Sequence, residues 1–123
     1  MTKKQLAKLS PTETEVLRLV WQLDRGSVQE VCESLPANHK ISYATVQTLL
    51  RRLEKKGYLK HDVRGNAHVF TAAVKQEAVV KRTVSDFLDR LFGGNPIPLM
   101  QHLAKHGKLR SADIDKLKEL VDD

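Results

Sequence analysis

The chain has 123 residues and a mass of 13.9 kDa, about the length of one ordinary domain. Hydrophobic residues make up 41% and aromatic residues only 5%, which indicates a globular, mainly α-helical protein and not a disordered or fibrous one. No apolar run approaches the ~18 residues of a membrane span, and no apolar segment follows the basic N-terminus as in a secretory signal. These features favour a cytoplasmic protein without membrane insertion.

The positive charge is concentrated in one part of the chain. The formal net charge is +6, and the window 40–64 holds seven basic residues against two acidic ones. An isoelectric point of 9.6 is compatible with three kinds of binding partner: nucleic acid, an acidic protein or an anionic membrane. Because the charge is confined to one pair of elements, it favours nucleic acid as the partner, since a phosphate backbone binds cations that lie on one face of a protein.

Capping signals mark the starts of three helices in the first half. Ser10-Pro11-Thr12-Glu13 combines a capping box with proline at the first helical position. Ser27 repeats the box with Glu30, and Ser42 precedes the third helix. We expect Gly26 and Gly57 to provide left-handed stops after the first and third helices.

The third helix, about residues 43–56, has two different faces. Its inward positions are all apolar, whereas its outer face carries hydrogen-bonding and basic side chains: Thr45, Gln47, Thr48, Arg51, Arg52 and Lys55. After Gly57 the pattern alternates with period two, and Arg64-Gly65-Asn66 has turn chemistry, which predicts a β-hairpin over about residues 59–71. Three helices followed by a basic hairpin is the order of a winged helix-turn-helix. In that fold the third helix enters the major groove.

The second half predicts helices with uncovered apolar stripes. We expect a long helix from about Val74 to Phe92, a short one over Ile97–Lys105 and a last one capped by Ser111. About fifty residues in three helices cannot bury these stripes on one another, so a second copy is the expected cover. The predicted interface comprises Val80, Val84, Phe87, Leu88, Leu91, Leu99, Leu103, Ile114, Leu117 and Leu120. The fold class is therefore mainly α, with a winged helix-turn-helix domain at residues 1–72 and an α-helical dimerisation domain at residues 73–123.

Candidate metal ligands are sparse. Cys32, the only cysteine, lies on an apolar helix stripe and is expected to act as a small core residue. His102 and His106 have the i, i+4 spacing of a helical metal pair, but no cysteine lies nearby and a third ligand would have to come from Asp113, Asp115 or a partner chain. Solvated histidines are therefore the favoured interpretation. His61 and His68 lie on facing strands of the predicted hairpin and could pair across them. We predict no metal site and no cofactor.

Two stretches resemble the penicillinase-repressor family (the BlaI/MecI/CopY type). They are Leu9–Leu17 with Trp21, and Tyr43–Leu59 with its Thr-x-Gln-Thr-Leu-Leu-x-Arg-Leu core. The resemblance spans about residues 9–121 and implies a homodimeric repressor on a palindromic operator, often of TACA/TGTA type. It implies that Thr45, Gln47 and Thr48 read DNA, with Arg51 and Arg52 near phosphates and Arg64 on the wing. Tyr43 and Lys55 complete the predicted DNA-binding set.

The chain departs from this family in its signalling features. Antibiotic-responsive members are cut at an Asn-Phe step after a membrane sensor-protease is triggered, but Leu99–Ala104 contains no such step. Copper-responsive members have a cysteine-rich C-terminal tail, whereas Leu120–Asp123 has no cysteine. A sensor-protease partner, the inducing signal and the choice between repression and activation stay open.

Two other classes of function compete with DNA binding. The chain has no P-loop, GxGxxG, HExxH or GxSxG pattern, which speaks against an enzyme. A winged helix can instead be a protein-interaction module without specific DNA binding. A docking face would carry exposed apolar or aromatic anchors, whereas the outer face of the third helix offers threonine, glutamine and arginine.

Overall fold

The computed structural model describes residues 6–121 of the chain. The basic N-terminal residues 1–5 and the last two residues, which entered the expectations about a secretory signal and a C-terminal tail, lie outside this range. Within it, helices and strands follow in the order α1 (Pro11–Leu23), β1 (Arg25–Ser27), α2 (Val28–Ser34), α3 (Tyr43–Lys55), β2 (Leu59–Arg64), β3 (Ala67–Ala72), α4 (Gln76–Phe92), α5 (Pro96–Lys105) and α6 (Ser111–Leu120).

The predicted caps begin the first three helices. The Ser10 hydroxyl accepts a hydrogen bond from the Glu13 amide at 3.1 Å, and the Glu13 carboxylate accepts one from the Ser10 amide at 2.8 Å. Ser27 and Glu30 form the same reciprocal pair ahead of α2. The Ser42 hydroxyl accepts from the Thr45 amide at 3.2 Å. Each cap satisfies amides that the first helical turn leaves unpaired.

A short strand before α2 turns the predicted hairpin into a three-stranded sheet. The sheet has the order β1-β3-β2 with antiparallel pairing, and Gly26 lies opposite Phe70. The expectation that Gly26 ends α1 in a left-handed conformation was wrong. Asp24 takes the positive φ of 70°, and Gly26 lies in β1, where an added Cβ would come within 3.0 Å of Leu23. Gly57 has the expected positive φ, 93°.

The hydrophobic core lies where α1, α2 and α3 pack with the sheet. Its largest fully buried side chains include Leu17, Leu50, Leu53 and Phe70. Val74 and Val79 pack against the same core from beyond β3. Three helices and an antiparallel hairpin in this order confirm the predicted winged helix-turn-helix.

The described residues separate into two compact units, the first ending at Val79 and the second beginning at Val80. The three C-terminal helices were predicted close to where they occur, although α4 starts at Gln76 and not at Val74. Arg110 is the N-cap of α6 and Ser111 is its first residue, and the Arg110 amide donates to Asp113 at 3.0 Å. No residue of α4, α5 or α6 is fully buried. Within residues 6–121, no helix has the length and apolar character needed to cross a membrane.

Candidate nucleic-acid interface

The inner face of α3 fixes this helix to the core. Val46, Leu49, Leu50 and Leu53 are at most 5% exposed, and they recur at the spacing of one helix face. Because these four side chains are buried, the rotation of α3 about its own axis is set. The opposite face must therefore point to solvent.

The structure places the predicted DNA-binding residues on that outer face and at the hairpin tip. Gln47 is half-buried at the edge of the face, and the other predicted residues are exposed: Tyr43, Thr45, Thr48, Arg51, Arg52, Lys55 and Arg64. Arg64 pairs with Ala67 at the end of the hairpin, beside Gly65 with a φ of 63°. Seven of the eight residues thus share α3, and the eighth lies on the wing.

The polar side chains of the outer face differ in their hydrogen bonding. The Thr48 hydroxyl donates to the Ala44 carbonyl at 3.0 Å, and the Thr45 hydroxyl accepts from Ser42 at 2.9 Å. Among residues 6–121, no hydrogen bond or ion pair engages the side chains of Gln47, Arg51, Arg52, Lys55 or Arg64. These five side chains have donors available for a ligand.

A partly buried ion pair connects the end of α3 to the start of α1. Glu13 is only 3% exposed, and its carboxylate lies 2.6 Å from Lys56 Nζ, which also donates to the Lys8 carbonyl at 2.9 Å. Burial, the largest single influence, raises the pKa of Glu13. Hydrogen bonds from Lys56 and Ser10 and the charge of Lys56 together outweigh burial, so the pKa is lowered. Sequence reasoning gave Glu13 only a capping role, because its partner lies 43 positions away.

A second polar contact joins α3 to the wing. His61 Nδ1 on β2 lies 2.7 Å and 2.9 Å from the two carboxylate oxygens of Glu54 on α3. The predicted pairing of His61 with His68 is also present, with the rings stacked at a centroid distance of 4.7 Å. Sequence reasoning missed the contact with Glu54. The available signal was the alternation Leu59, His61, Val63, which places His61 on the strand face that carries buried Leu59.

The histidines considered for metal binding lie close together only in pairs. The His102 and His106 rings lie 4.3 Å apart at the end of α5, and both are exposed. No group of three or more histidine, cysteine or acidic side chains within residues 6–121 is arranged to hold a metal ion. Cys32 is half-buried against the core, and burial raises the pKa of its thiol. A protonated thiol is a poor nucleophile and metal ligand.

The predicted interface residues of the second unit form uncovered apolar stripes. Leu88, Leu99 and Leu103 are half-buried. The others are exposed, from 40% for Ile114 to 80% for Leu120: Val80, Val84, Phe87, Leu91, Ile114, Leu117 and Leu120. Exposed apolar surface of this extent is typical of an interaction site.

Comparisons with known proteins agree with this fold. The family model of the penicillinase repressor matches residues 9–123. The penicillinase repressor of Staphylococcus aureus is 27% identical over the whole chain and 97% of its own length. The solution structure of the DNA-binding domain of the repressor BlaI is 32% identical, with a TM-score of 0.53 over 60% of this chain and 90% of that domain.

A further solved structure includes DNA. It is the monomeric form of Bacillus licheniformis BlaI in complex with the blaP half-operator, 32% identical with a TM-score of 0.51 over 61% of this chain and 92% of that one. The family and the Staphylococcus aureus relative are named as repressors and not as enzymes, in agreement with the prediction that the chain is not an enzyme. Since the family model spans nearly all of its length, this chain belongs to the penicillinase repressor family.

Proposed function

We propose that the protein is a sequence-specific DNA-binding repressor that acts as a homodimer on a palindromic operator. The observation that carries the proposal is the outer face of α3, which is exposed, basic and rich in uncommitted donors. The relative solved in complex with a half-operator supports DNA as the binding partner. In this proposal residues 1–72 read the DNA and residues 73–123 dimerise.

Each subunit would read one half-site with α3 in the major groove. The amide of Gln47 can donate and accept at a base edge, and Thr45 and Thr48 offer hydroxyl and methyl groups. Arg51, Arg52 and Lys55 would pair with phosphates, which fix the position of the helix but carry no sequence information. Arg64 would bring a further cation to the backbone from the wing.

The C-terminal helices would hold two such readers at one spacing. Covering the stripes of α4, α5 and α6 with a second copy removes apolar side chains such as Leu91 and Leu120 from water. Once one half-site is bound, the second is engaged at high effective concentration, so a dimer binds far more tightly than a monomer. A dimer held on a promoter in this way would block access by the polymerase.

Selection of sheared genomic DNA by the purified protein at two salt concentrations tests this function. Specific dimeric binding predicts fragments that share a two-fold-symmetric motif and persist at the higher salt. Fragments without a common motif that are lost at higher salt would indicate attachment through counterion release alone. The second outcome would reject specific binding and favour a protein-interaction module.

A further inference from the structure

Glu54 has an unusual place on α3. It is the only acidic residue of the helix, and it follows Gln47 and Arg51 at the spacing i, i+4, i+7, which places all three along one flank. A carboxylate on the flank that carries proposed base and phosphate contacts would repel the DNA backbone if its side chain faced the groove.

The Glu54 carboxylate is instead held by the wing. Both of its oxygens lie within 2.9 Å of His61 Nδ1, and the two side chains are 32% and 31% exposed. A carboxylate can only accept, so the proton of this hydrogen bond belongs to His61 Nδ1. Charge-assisted hydrogen bonds of this length are among the stronger polar contacts in proteins.

The imidazole of His61 is itself fixed in place. Its ring lies 5.5 Å from the ring of Phe70, which is 1% exposed, and stacks on His68 at 4.7 Å with an angle of 8° between the planes. Buried Phe70 connects His61 to the core, which places the donor beside α3. Glu54, His61 and His68 thereby join α3, β2 and β3 in one chain of contacts.

We propose that His61 is a positioning residue that holds the Glu54 carboxylate against the wing and away from bound DNA. The inference rests on the proposed DNA-binding face of α3. Its effect is electrostatic: with His61 in place, the flank presents Gln47 and Arg51 without a competing anion. Without His61, the carboxylate turns freely and lowers the affinity for any phosphate backbone next to this flank.

Four variants separate this role from simple support of the hairpin. His61→Leu keeps an apolar body beside Phe70 but removes the donor, and we expect operator affinity to fall about three- to tenfold. The double variant His61→Leu/Glu54→Gln should regain most of that loss, because no carboxylate remains to be held. Glu54→Gln alone should bind within about twofold of the wild type. His68→Leu is the matched control: it replaces the stacked ring with an apolar side chain but leaves both the Glu54 contact and the contact of His61 with Phe70, so binding should stay within about twofold of the wild type.

Affinity is measured by fluorescence anisotropy on an operator fragment and on random DNA, with thermal unfolding of each variant as the check of folding. Restored affinity in the double variant supports the proposal, because lost packing at position 61 would not be repaired by changing Glu54. Unchanged affinity in His61→Leu, or a double variant as weak as His61→Leu, overturns it. If His61→Leu unfolds, His61→Gln and His61→Ala are measured in its place. His61→Gln keeps a hydrogen-bond donor and should retain operator affinity, whereas His61→Ala removes the donor and should lose affinity.

The wild-type protein separates this inference from the proposed function. If the wild type does not prefer its selected operator over random DNA, sequence-specific binding fails whatever the variants do. If the wild type shows that preference and the variants give no rescue, only the role of His61 fails.

Discussion

The two units of the chain treat their apolar side chains in opposite ways. In the first, Val16, Leu17 and Leu50 have no exposed surface, and Phe70 is 1% exposed. In the second, which begins within α4, no residue of α4, α5 or α6 is fully buried, and Leu91 and Leu120 are 63% and 80% exposed. The helices of both units are amphipathic, but only those of the first have their stripes covered within one chain.

In our proposal this difference corresponds to different tasks for the two units. A core completed within the chain gives α3 a fixed rotation, which a base-reading helix needs. Helices with open stripes gain stability when another surface removes those stripes from water. In our proposal that surface is the same unit of a second copy, so the unit that reads DNA is complete alone and the other one requires a partner.

The largest expected effect comes from breaking the second unit alone. Leu88→Asp places a charge in the α4 stripe, where burial against a partner would cost several kcal/mol. We expect the protein to become monomeric and operator affinity to fall by several orders of magnitude, because the gain from the second half-site is lost. Light scattering measures the mass of the protein, and fluorescence anisotropy measures its affinity for the operator.

Ser85→Asp is the control. It adds the same charge at an exposed position outside the stripe, and the protein should stay dimeric. A Leu88→Asp protein that remains dimeric would remove Leu88 from the interface.

The next effect lies within the first unit. Glu13→Ala leaves Lys56 without its buried partner, and we expect a loss of about 2–4 kcal/mol in the free energy of unfolding by urea. Glu30→Ala removes the equivalent capping carboxylate at an exposed position and should cost about 1 kcal/mol or less. Equal losses in the two variants would show that the Glu13–Lys56 pair adds nothing beyond capping.

The ion pair also makes the stability of the first unit depend on pH. Since the pKa of Glu13 is lowered on folding, its contribution is present above the pKa of the unfolded chain and is lost as the pH falls through the folded value. Urea unfolding of the wild type should therefore weaken toward acid pH. In Glu13→Gln, which cannot ionise at this position, the decline should be shallower, and a decline of equal steepness would contradict this origin.

Gln47→Ala changes the reading face without touching the core of either unit. We expect a loss of about 1–3 kcal/mol on the operator and little change on random DNA, because in our proposal the amide contacts a base edge and not a phosphate. Anisotropy on both DNAs at one salt concentration gives the comparison. Equal weakening on both would exclude Gln47 as a base reader.

The smallest effect is expected at the wing. Arg64→Ala should weaken binding to operator and random DNA alike and lower the slope of log affinity against log salt by about 1, since one phosphate contact is lost. Lys75→Ala removes an exposed cation beyond the hairpin and is the control, with no change of slope expected. A loss confined to the operator would contradict a purely backbone role for Arg64.

Local signals in the sequence predicted most of this fold. Ser10, Ser27 and Ser42 marked their helices because a cap acts on amides only two or three residues away. β1 has only three residues, too few to show the alternation of apolar and polar side chains that marks a strand, so Gly26 was interpreted as a helix stop. Contacts distant in sequence were harder to predict: Glu13 with Lys56 and Glu54 with His61 depend on how α1, α3 and β2 pack, which no local pattern records. The sequence did predict which residues share the outer face of α3, because buried and exposed residues recur there with helical period. That these residues bind DNA stays a prediction.

The roles of the second-unit residues stay predictions, since a single chain contains only one side of the proposed interface. Sedimentation equilibrium of the intact protein at micromolar concentration tests the account most directly. The proposed homodimer should have a mass of twice 13.9 kDa. The Leu88→Asp protein should have the mass of a monomer. A wild-type protein that sediments at 13.9 kDa throughout the micromolar range would contradict the proposed dimer, because the exposed stripes of α4, α5 and α6 would then not be covered by a second copy.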